Sequence, residues 1–383
     1  MERPQRFADT PELLAACALE VERSARVGLD TESNGFHAYF EKVCLLQIAT
    51  PEGDWAVDTL ALGIEPLLPL LADPARECVL HAAEYDVLCM KRDHGLTFGR
   101  IFDTHAAAKA LGIGKVGLHN LLEEQLGVRI EVDEQRSDWG KRPLSARQME
   151  YAIADVRWLL PLREKLGEQL EVRGLLPEAE AEFARLIAKE PRPREFDPEG
   201  WQRMKAARAL DGRGRAVLRE LYLLRDRRAR ELDRPAFKVL SDLFLAEAAR
   251  RLPKSQEELA RVPGASAGAL QKVGLQVLAA VKKGVAAEPI PRARHGGDGA
   301  HRRRGGPGAP SPEIEERYER LRRWRKGRAE ARKVEVQVIA PNAVLWAIAR
   351  SNPGDPESLG RVEGMDSWRL EQYGPEILKT LRP

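Results

Sequence analysis

The sequence has few of the features that define several large classes of protein. Its four cysteines (Cys17, Cys44, Cys78 and Cys89) include no Cys-x-x-Cys pair and lie in apolar surroundings. This pattern favours buried thiols in a reducing compartment over a disulfide framework or a zinc site. No apolar run approaches the roughly 18 residues of a membrane helix, and no apolar signal core follows the N-terminus. We therefore expect a cytoplasmic protein without a membrane partner.

The sequence also lacks a nucleotide-binding loop. Gly112, Gly114 and Gly117 lie near Lys115, but they have neither the Walker spacing nor the spacing of a dinucleotide fingerprint. We therefore expect no nucleotide cofactor.

Charge is distributed unevenly along the 383 residues, a length typical of about two or three domains. Residues 1–190 carry 22 basic and 33 acidic side chains, whereas the remainder carries 40 basic and 26 acidic side chains. An acidic half joined to a basic half is typical of a metal-using catalytic domain attached to a part that holds a polyanion. The alternative is that the basic helices are only solvated surfaces.

The first half alternates between strand and helix patterns. β-prone runs at residues 27–32, 43–49 and 55–57 follow one another closely and predict an antiparallel meander. Further strands are predicted at 78–81 and 101–103. The helices are predicted to begin at Thr10-Pro11, to span 64–71 and 84–94, and to fill most of 104–173. This pattern predicts a mixed sheet covered by helices.

The second half is mainly helical and contains an internal repeat. A shift of 100 residues aligns Ala249-Arg250 with Ala349-Arg350 and Arg261-Val262 with Arg361-Val362, and further matches run between them without a gap. Each copy is predicted to form a small bundle of four or five helices with a glycine turn near its end. Residues 286–311, rich in Gly, Pro and Arg, are predicted to form a flexible basic linker.

Acidic side chains in the first half form a candidate metal site. Asp30 and Glu32 would point to one face of a strand and repel each other unless a cation lies between them. Taken alone, such a pair is more often an acidic strand end than a metal site. Asp86 lies where a strand gives way to a helix, and Tyr151 and Asp155 would share one face of a helix in apolar surroundings.

Four carboxylates from two strands and two helices would suit a pair of divalent ions about 3.5–4 Å apart, which is the arrangement that cleaves phosphodiesters. Oxygen ligands without clustered His or Cys favour Mg²⁺ or Mn²⁺ over zinc. The hydroxyl of Tyr151 would remain neutral and could position the attacking water.

The motifs in this order resemble a known family. Asp30-Thr31-Glu32, the His81 to Asp86 motif and the Tyr151 to Asp155 motif are similar to the three exonuclease motifs of the ribonuclease D family, in the tyrosine branch of the 3′–5′ exonucleases. The two repeats are similar to the helicase-and-ribonuclease-D C-terminal (HRDC) domain. The resemblance also extends through Asp103-Thr104, Arg136-Ser137-Asp138-Trp139, Arg142-Pro143-Leu144-Ser145 and Leu159-Leu160-Pro161.

The resemblance implies a ribonuclease-H-like fold, with a mixed five-stranded sheet and flanking helices, followed by two small all-α bundles. It implies an exonuclease domain over 1–190, HRDC domains over 208–285 and 312–383, and the linker at 286–311. Asp30 would bridge two ions, Glu32 and Asp155 would complete the first site, Asp86 would serve the second, and Tyr151 would orient the nucleophilic water. Ser33 departs from the apolar or aromatic residue expected after the glutamate.

Four other residues are candidates for substrate binding. Phe36 would line the groove for the 3′-terminal nucleotide, and Arg136 belongs to the run that resembles the family. Trp139 would stack on a terminal base or, equally, fill the core, while Asp138 beside it could cap the next helix. His81 would touch the substrate or, as the alternative, act only as a structural hydrogen-bonding residue.

The sequence therefore predicts a monomeric 3′–5′ exoribonuclease that uses two divalent ions. It would remove 5′-mononucleotides from RNAs with a free 3′ end, including transfer-RNA precursors and other small structured RNAs. Two alternatives remain at this point: a DNA exonuclease acting in repair, and an RNA-binding protein without activity.

Overall fold

The computed structural model of the chain describes residues 3–131, 133–191, 195–291 and 310–382, which form two compact units. The first unit comprises residues 3–32, 43–131, 133–191 and 310–382. The second unit comprises residues 33–42 and 195–291. Most of the linker predicted at 286–311 lies outside the described residues.

A six-stranded sheet forms the centre of the first unit, with the strand order β1-β4-β3-β2-β5-β6. The predicted meander is confirmed, since β2, β3 and β4 are neighbours and β3 pairs antiparallel with β4. β2 pairs parallel with β5, and β5 pairs parallel with β6. The strands are β1 (Gln5–Ala8), β2 (Arg26–Ser33), β3 (Val43–Ala49), β4 (Asp54–Val57), β5 (Glu77–Leu80) and β6 (Ile101–Asp103).

The expected count of five strands is wrong by one. β1 is an edge strand that pairs parallel with β4, from Gln5 opposite Asp54 to Ala8 opposite Val57. Its sequence, Gln-Arg-Phe-Ala, has only two apolar residues and no alternation long enough to predict a strand. This segment forms a strand because it pairs with β4, which is distant in sequence.

Eight helices of the first unit surround this sheet. Thr10 caps α1 and Pro11 opens it, as predicted. The predicted helix at 64–71 is shorter, because only its last turn is α-helical. The helices are α1 (Pro11–Arg23), α2 (Leu68–Leu71), α3 (Glu84–His94), α4 (Thr104–Ala110), α5 (Leu118–Leu126), α6 (Ala146–Arg157), α7 (Leu159–Val172) and α8 (Leu176–Ile187).

Both copies of the repeat fold into five helices, and eight of the ten helix bounds recur after a shift of 100 residues. The first copy lies in the second unit and the second copy in the first unit. Gly264 and Gly364 both have a φ of 80°, which glycine adopts without strain, in the predicted turn. The helices are α9 (Gly212–Glu231), α10 (Ala236–Val239), α11 (Asp242–Arg251), α12 (Gln256–Ala260) and α13 (Ala267–Ala286), then α14 (Pro312–Arg332), α15 (Val336–Ile339), α16 (Asn342–Ser351), α17 (Pro356–Gly360) and α18 (Ser367–Leu381).

The second copy of the repeat packs against the helices that cover the sheet of the first unit, through a buried ion pair. Arg332, at the end of α14, donates to both carboxylate oxygens of Glu178 on α8, over 2.9 and 2.6 Å. Arg332 also donates to the hydroxyl of Tyr373 over 2.7 Å. Glu178 is only 3% exposed, so its charge depends on this partner.

Two basic runs of the second half, residues 225–230 and 317–333, are candidates for phosphate contacts, but several of their arginines point inward. Arg225 and Arg325 are buried and donate to the backbone oxygens of Leu240 and Ala340. Other cations of α14, such as Arg322 and Arg323, are exposed. Only part of each run is therefore available to a polyanion.

The described residues include no helix that is both long and apolar enough to cross a membrane. All four cysteines are buried free thiols, as predicted.

Candidate active site

The predicted site residues lie at the carboxyl ends of parallel strands. Asp30 and Glu32 occupy the end of β2, and Asp86 lies on α3, which follows β5 after a short turn. Because β2 and β5 run parallel, their carboxyl ends meet at one edge of the sheet. This edge is where α/β folds commonly bind ligands.

Three of the four predicted metal ligands come together. Asp30, Glu32 and Asp155 each offer a carboxylate oxygen, and these atoms all lie within 4.8 Å of one another. Asp30 and Asp155 are partly exposed, which leaves one side of the group open. A set of carboxylate oxygens alone fits a hard divalent cation.

Gly28 allows α6 to approach β2 closely enough for Asp155 to reach this group. A Cβ atom at position 28 would lie 3.1 Å from the carbonyl oxygen of Val156 and 3.2 Å from the Cβ of Leu159. Both distances are tighter than an ordinary packing contact, so glycine permits the close approach.

Asp86 lies beside this group but outside it. Its carboxylate accepts a hydrogen bond from the hydroxyl of Thr31 over 2.5 Å, and Thr31 is the residue between Asp30 and Glu32. Asp86 is only 6% exposed. This position is consistent with the prediction that Asp86 serves a different ion from Glu32 and Asp155.

The four carboxylates strongly influence one another. Burial, followed by repulsion from Asp86, Asp155 and Glu32, raises the pKa of Asp30 well above its usual range. Burial, followed by repulsion from Asp155 and Asp86, raises the pKa of Glu32 to about 9. Burial also raises the pKa of Asp86 and the pKa of Asp155 to about 7 each. A cation bound among these carboxylates would offset both their burial and their mutual repulsion, and would favour their ionised forms.

Tyr151 lies on α6 one turn before Asp155, as predicted. Burial, followed by repulsion from Asp155 and Glu32, raises the pKa of Tyr151 above its usual value, so the phenol stays protonated at neutral pH. Trp139 packs against it, with the ring centroids 6.1 Å apart. Trp139 is fully buried, so the expected stacking on a terminal base is not supported and the core alternative holds. Asp138 is not the helix cap, because Ser145 caps α6.

His81 forms a structural hydrogen bond at the end of β5. Its Nδ1 lies 2.9 Å from the hydroxyl of Thr104, which itself donates to the carbonyl of Leu80 over 3.0 Å. Nδ1 must therefore carry the proton in this contact. Burial, followed by the charges of His105 and His119, lowers the pKa of His81 to about 3, so its ring is neutral at pH 7. A contact with substrate stays a prediction.

The two other substrate-binding candidates are exposed. Phe36 is 53% exposed and belongs to the segment grouped with the second unit. Arg136 is exposed in the loop before α6. Their contact with substrate stays a prediction.

Sequence reasoning missed two supporting residues, Thr31 and Asp103. Asp103 caps α4 and also accepts hydrogen bonds from the backbone N–H groups of Ala82 and Ala83, over 3.0 and 3.1 Å. Ala82 has a φ of 56°, so Asp103 holds the turn that leads into α3 and Asp86. The position of Thr31 between two ligands was the only local signal for its role.

Comparisons with known proteins agree with this geometry. Residues 5–171 match the family model described as 3′–5′ exonuclease, and residues 214–281 and 314–381 each match the HRDC domain. The fold is therefore that of a 3′–5′ exonuclease carrying two HRDC domains.

Curated relatives cover nearly the whole chain. Ribonuclease D of Sphingobium indicum is 31% identical over 97% of this chain and 93% of its own length. Ribonuclease D of Gluconacetobacter diazotrophicus is 35% identical over 76% of this chain and 75% of its own length. The chain belongs to the ribonuclease D family.

Solved structures support the same assignment. Escherichia coli RNase D, described as an exoribonuclease involved in structured RNA processing, aligns with a TM-score of 0.65 and 26% identity, over 100% of this chain and 99% of its own. The catalytic core of RRP6 from Trypanosoma brucei aligns with a TM-score of 0.68 and 26% identity, over 74% of this chain and 80% of its own. The protein is a 3′–5′ exoribonuclease, and its substrate is RNA.

Proposed function

We propose that the protein trims structured RNAs, including transfer-RNA precursors, from a free 3′ end by hydrolysis that depends on two Mg²⁺ or Mn²⁺ ions. The observation that carries the proposal is the meeting of three carboxylate oxygens within 4.8 Å, with Asp86 beside them. Burial raises the pKa of all four carboxylates, and repulsion from the other members raises the pKa of Asp30 and Glu32 further, so the group favours a bound divalent cation. Each cleavage would release one 5′-mononucleotide.

Each acidic residue has a distinct role in this proposal. Asp30 would contact both ions, Glu32 and Asp155 would complete the first site, and Asp86, held by Thr31, would serve the second. When bound, the ions lower the pKa of an attacking water and stabilise the leaving 3′ oxygen.

Tyr151 would orient the water that attacks the terminal phosphodiester. Because the raised pKa keeps its hydroxyl protonated at neutral pH, it acts as a hydrogen-bonding group and not as the base. Asp155, one helical turn away, and the packing of Trp139 fix the direction of this hydroxyl.

The substrate class is inferred from charge and from the relative. Escherichia coli RNase D is described as processing structured RNA. The exposed cations of α14 would contact the phosphates of such an RNA with little regard to sequence. One chain supplies all five site residues, so the protein would act as a monomer.

A time course on end-labelled RNA tests the proposal. With Mg²⁺, a 3′ label should appear at once as mononucleotide, whereas a 5′ label should give a ladder that shortens stepwise. Asp30→Asn and Asp155→Asn should abolish both patterns while RNA binding, measured by filter retention, is largely kept. Asp9→Asn, which changes an exposed carboxylate, is the matched control.

Undiminished digestion by either site variant would overturn the metal-site assignment. A DNA strand of matched sequence completes the design. Equal or faster digestion of the DNA would contradict the proposed RNA substrates.

A further inference from the structure

The connection between β2 and β3 is a closed loop, formed by residues 33–42. At its base, Asn34 and Lys42 exchange hydrogen bonds, since the N–H of Lys42 donates to the side chain of Asn34 over 2.9 Å and the N–H of Asn34 donates to the carbonyl of Lys42 over 3.3 Å. The N–H of Ala38 also donates to the carbonyl of Asn34 over 2.8 Å. The loop therefore has a conformation of its own.

This loop packs with the first copy of the repeat in one compact unit. Asp233, just after α9, accepts hydrogen bonds from the N–H groups of Tyr39 and Phe40, each over 3.0 Å. Asp226, on α9, accepts a hydrogen bond from the hydroxyl of Tyr39 over 2.7 Å. The ring of Tyr39 also packs against the apolar core of the repeat.

The two aspartates are not required by the fold of the repeat. At the equivalent positions the second copy has Lys326 and Lys333, which carry the opposite charge. The backbone is nevertheless the same there, since φ is 45° at Asp233 and 55° at Lys333. An acidic side chain at these positions therefore serves something other than the helices, and its partners are in the loop.

The loop carries two aromatic side chains that are largely exposed, although the ring of Phe40 also contacts the ring of Tyr39, with the centroids 5.0 Å apart. Phe36 and Phe40 are each 53% exposed. The loop also begins one residue after the metal ligand Glu32, so the chain itself ties it to the catalytic strand. Exposed aromatic rings stack on nucleic-acid bases without strong sequence preference.

We propose that the first copy of the repeat holds this loop in one conformation, so that Phe36 and Phe40 present a stacking surface to the bases of an RNA strand. Asp226 and Asp233 are then positioning residues for the exonuclease reaction, an inference that rests on the proposed function. The first copy acts through the loop, in addition to any contact it makes with RNA phosphates.

The test uses the full chain and a pentanucleotide RNA. Asp233→Lys introduces the residue that the second copy has at that position, so the repeat should fold. It should raise the hydrogen-exchange rate of the Tyr39 and Phe40 amides at least about tenfold, because both lose their acceptor. The lost stacking should raise KM by about tenfold and change kcat by less than about twofold.

Three further variants sharpen the test. Asp233→Asn keeps an oxygen acceptor and should restore most of the affinity, whereas Tyr39→Phe removes the hydroxyl that donates to Asp226 and should raise KM without unfolding the repeat. Glu257→Lys, an equal charge change at an exposed site of the same copy, should alter neither KM nor loop exchange. The added positive charge alone would lower KM, so a rise has the opposite sign to a general electrostatic effect.

If the hydrogen-exchange rates of the Tyr39 and Phe40 amides do not change in Asp233→Lys, the first copy of the repeat does not hold the loop. Faster exchange with an unchanged KM would overturn its part in the reaction. An inactive wild-type chain would overturn the proposed function itself. The hydrogen-exchange rates would still show, independently of activity, whether the first copy of the repeat holds the loop.

Discussion

Replacing Asp30 by asparagine should make the metal-free protein more stable while it abolishes activity. In the absence of metal, burial and repulsion from its neighbours outweigh the backbone hydrogen bond that Asp30 accepts from Thr31, so the ionised side chain is destabilising. Two unit charges 4.8 Å apart repel by about 3 kcal/mol at an effective dielectric constant of about 20. The pKa of Glu32 is raised to about 9, so at pH 8 this neighbour is only partly ionised and the repulsion is reduced.

We therefore expect a gain of about 2–4 kcal/mol from Asp30→Asn at pH 8, which corresponds to a rise of about 5–10 °C in Tm for a unit of this size. Thermal unfolding followed by tryptophan fluorescence, in the presence of a chelator, measures this shift. Asp9→Asn should leave Tm unchanged.

The stability advantage of Asp30→Asn over metal-free wild type should increase as the pH rises. The folded-state pKa values of the cluster are raised, so the folded protein binds these protons more tightly than the unfolded chain does. Metal-free wild type should lose stability as the pH rises from about 4, through about 7 for Asp86 and Asp155, to about 9 for Glu32. The advantage of Asp30→Asn should therefore shrink at pH 5.

Mg²⁺ should narrow the difference in stability between the two proteins. A ligand at 100 times its Kd adds about 2.7 kcal/mol to the wild type, while the variant lacks a ligand that contacts both ions and should gain less. A metal-free Asp30→Asn protein that melts below wild type at pH 8, or a difference that does not change with pH, would refute this account.

Three further variants test other parts of the structure. Tyr151→Phe should lower kcat by at least about 100-fold and leave Mg²⁺ affinity in calorimetry unchanged, because only the water-orienting hydroxyl is lost. Gly28→Ala should cost about 1–3 kcal/mol in thermal unfolding and also lower kcat, because its Cβ would push against Val156 and Leu159. Arg332→Ala should cost about 3–5 kcal/mol, seen as faster limited proteolysis, because Glu178 is left buried without a partner. Replacing the pair together, with Glu178→Leu and Arg332→Met, should restore most of this loss.

The helical parts of the fold could be predicted well because their signals are local. A gapless repeat fixes the helices of both copies at once, and the bounds recur as the alignment requires. β1 could not be predicted in this way, because only its pairing with β4 makes Gln5–Ala8 a strand. A local sequence pattern does not reveal pairing between segments that are distant in sequence.

In the candidate site, too, some features could be predicted from local sequence patterns and others could not. Asp30, Glu32 and Asp155 were predicted from spacing and motif order, and they meet in the structure. Trp139 was ambiguous because a tryptophan near a site fits a core as well as a surface, and only its burial decides between them. The anchors of the loop could not be predicted, since Tyr39 and Asp226 are 187 residues apart.

The ion pair between Glu178 and Arg332 also bears on how the protein is made. The two residues are separated by 154 positions, so Glu178 leaves the ribosome long before its partner exists. At about 5–20 residues per second, the exonuclease part waits about 10–30 s for this contact. During that time a carboxylate that is later buried remains in water, and the surface of α8 stays uncovered. The exonuclease part should therefore reach its final protease resistance only after the second copy of the repeat has left the ribosome.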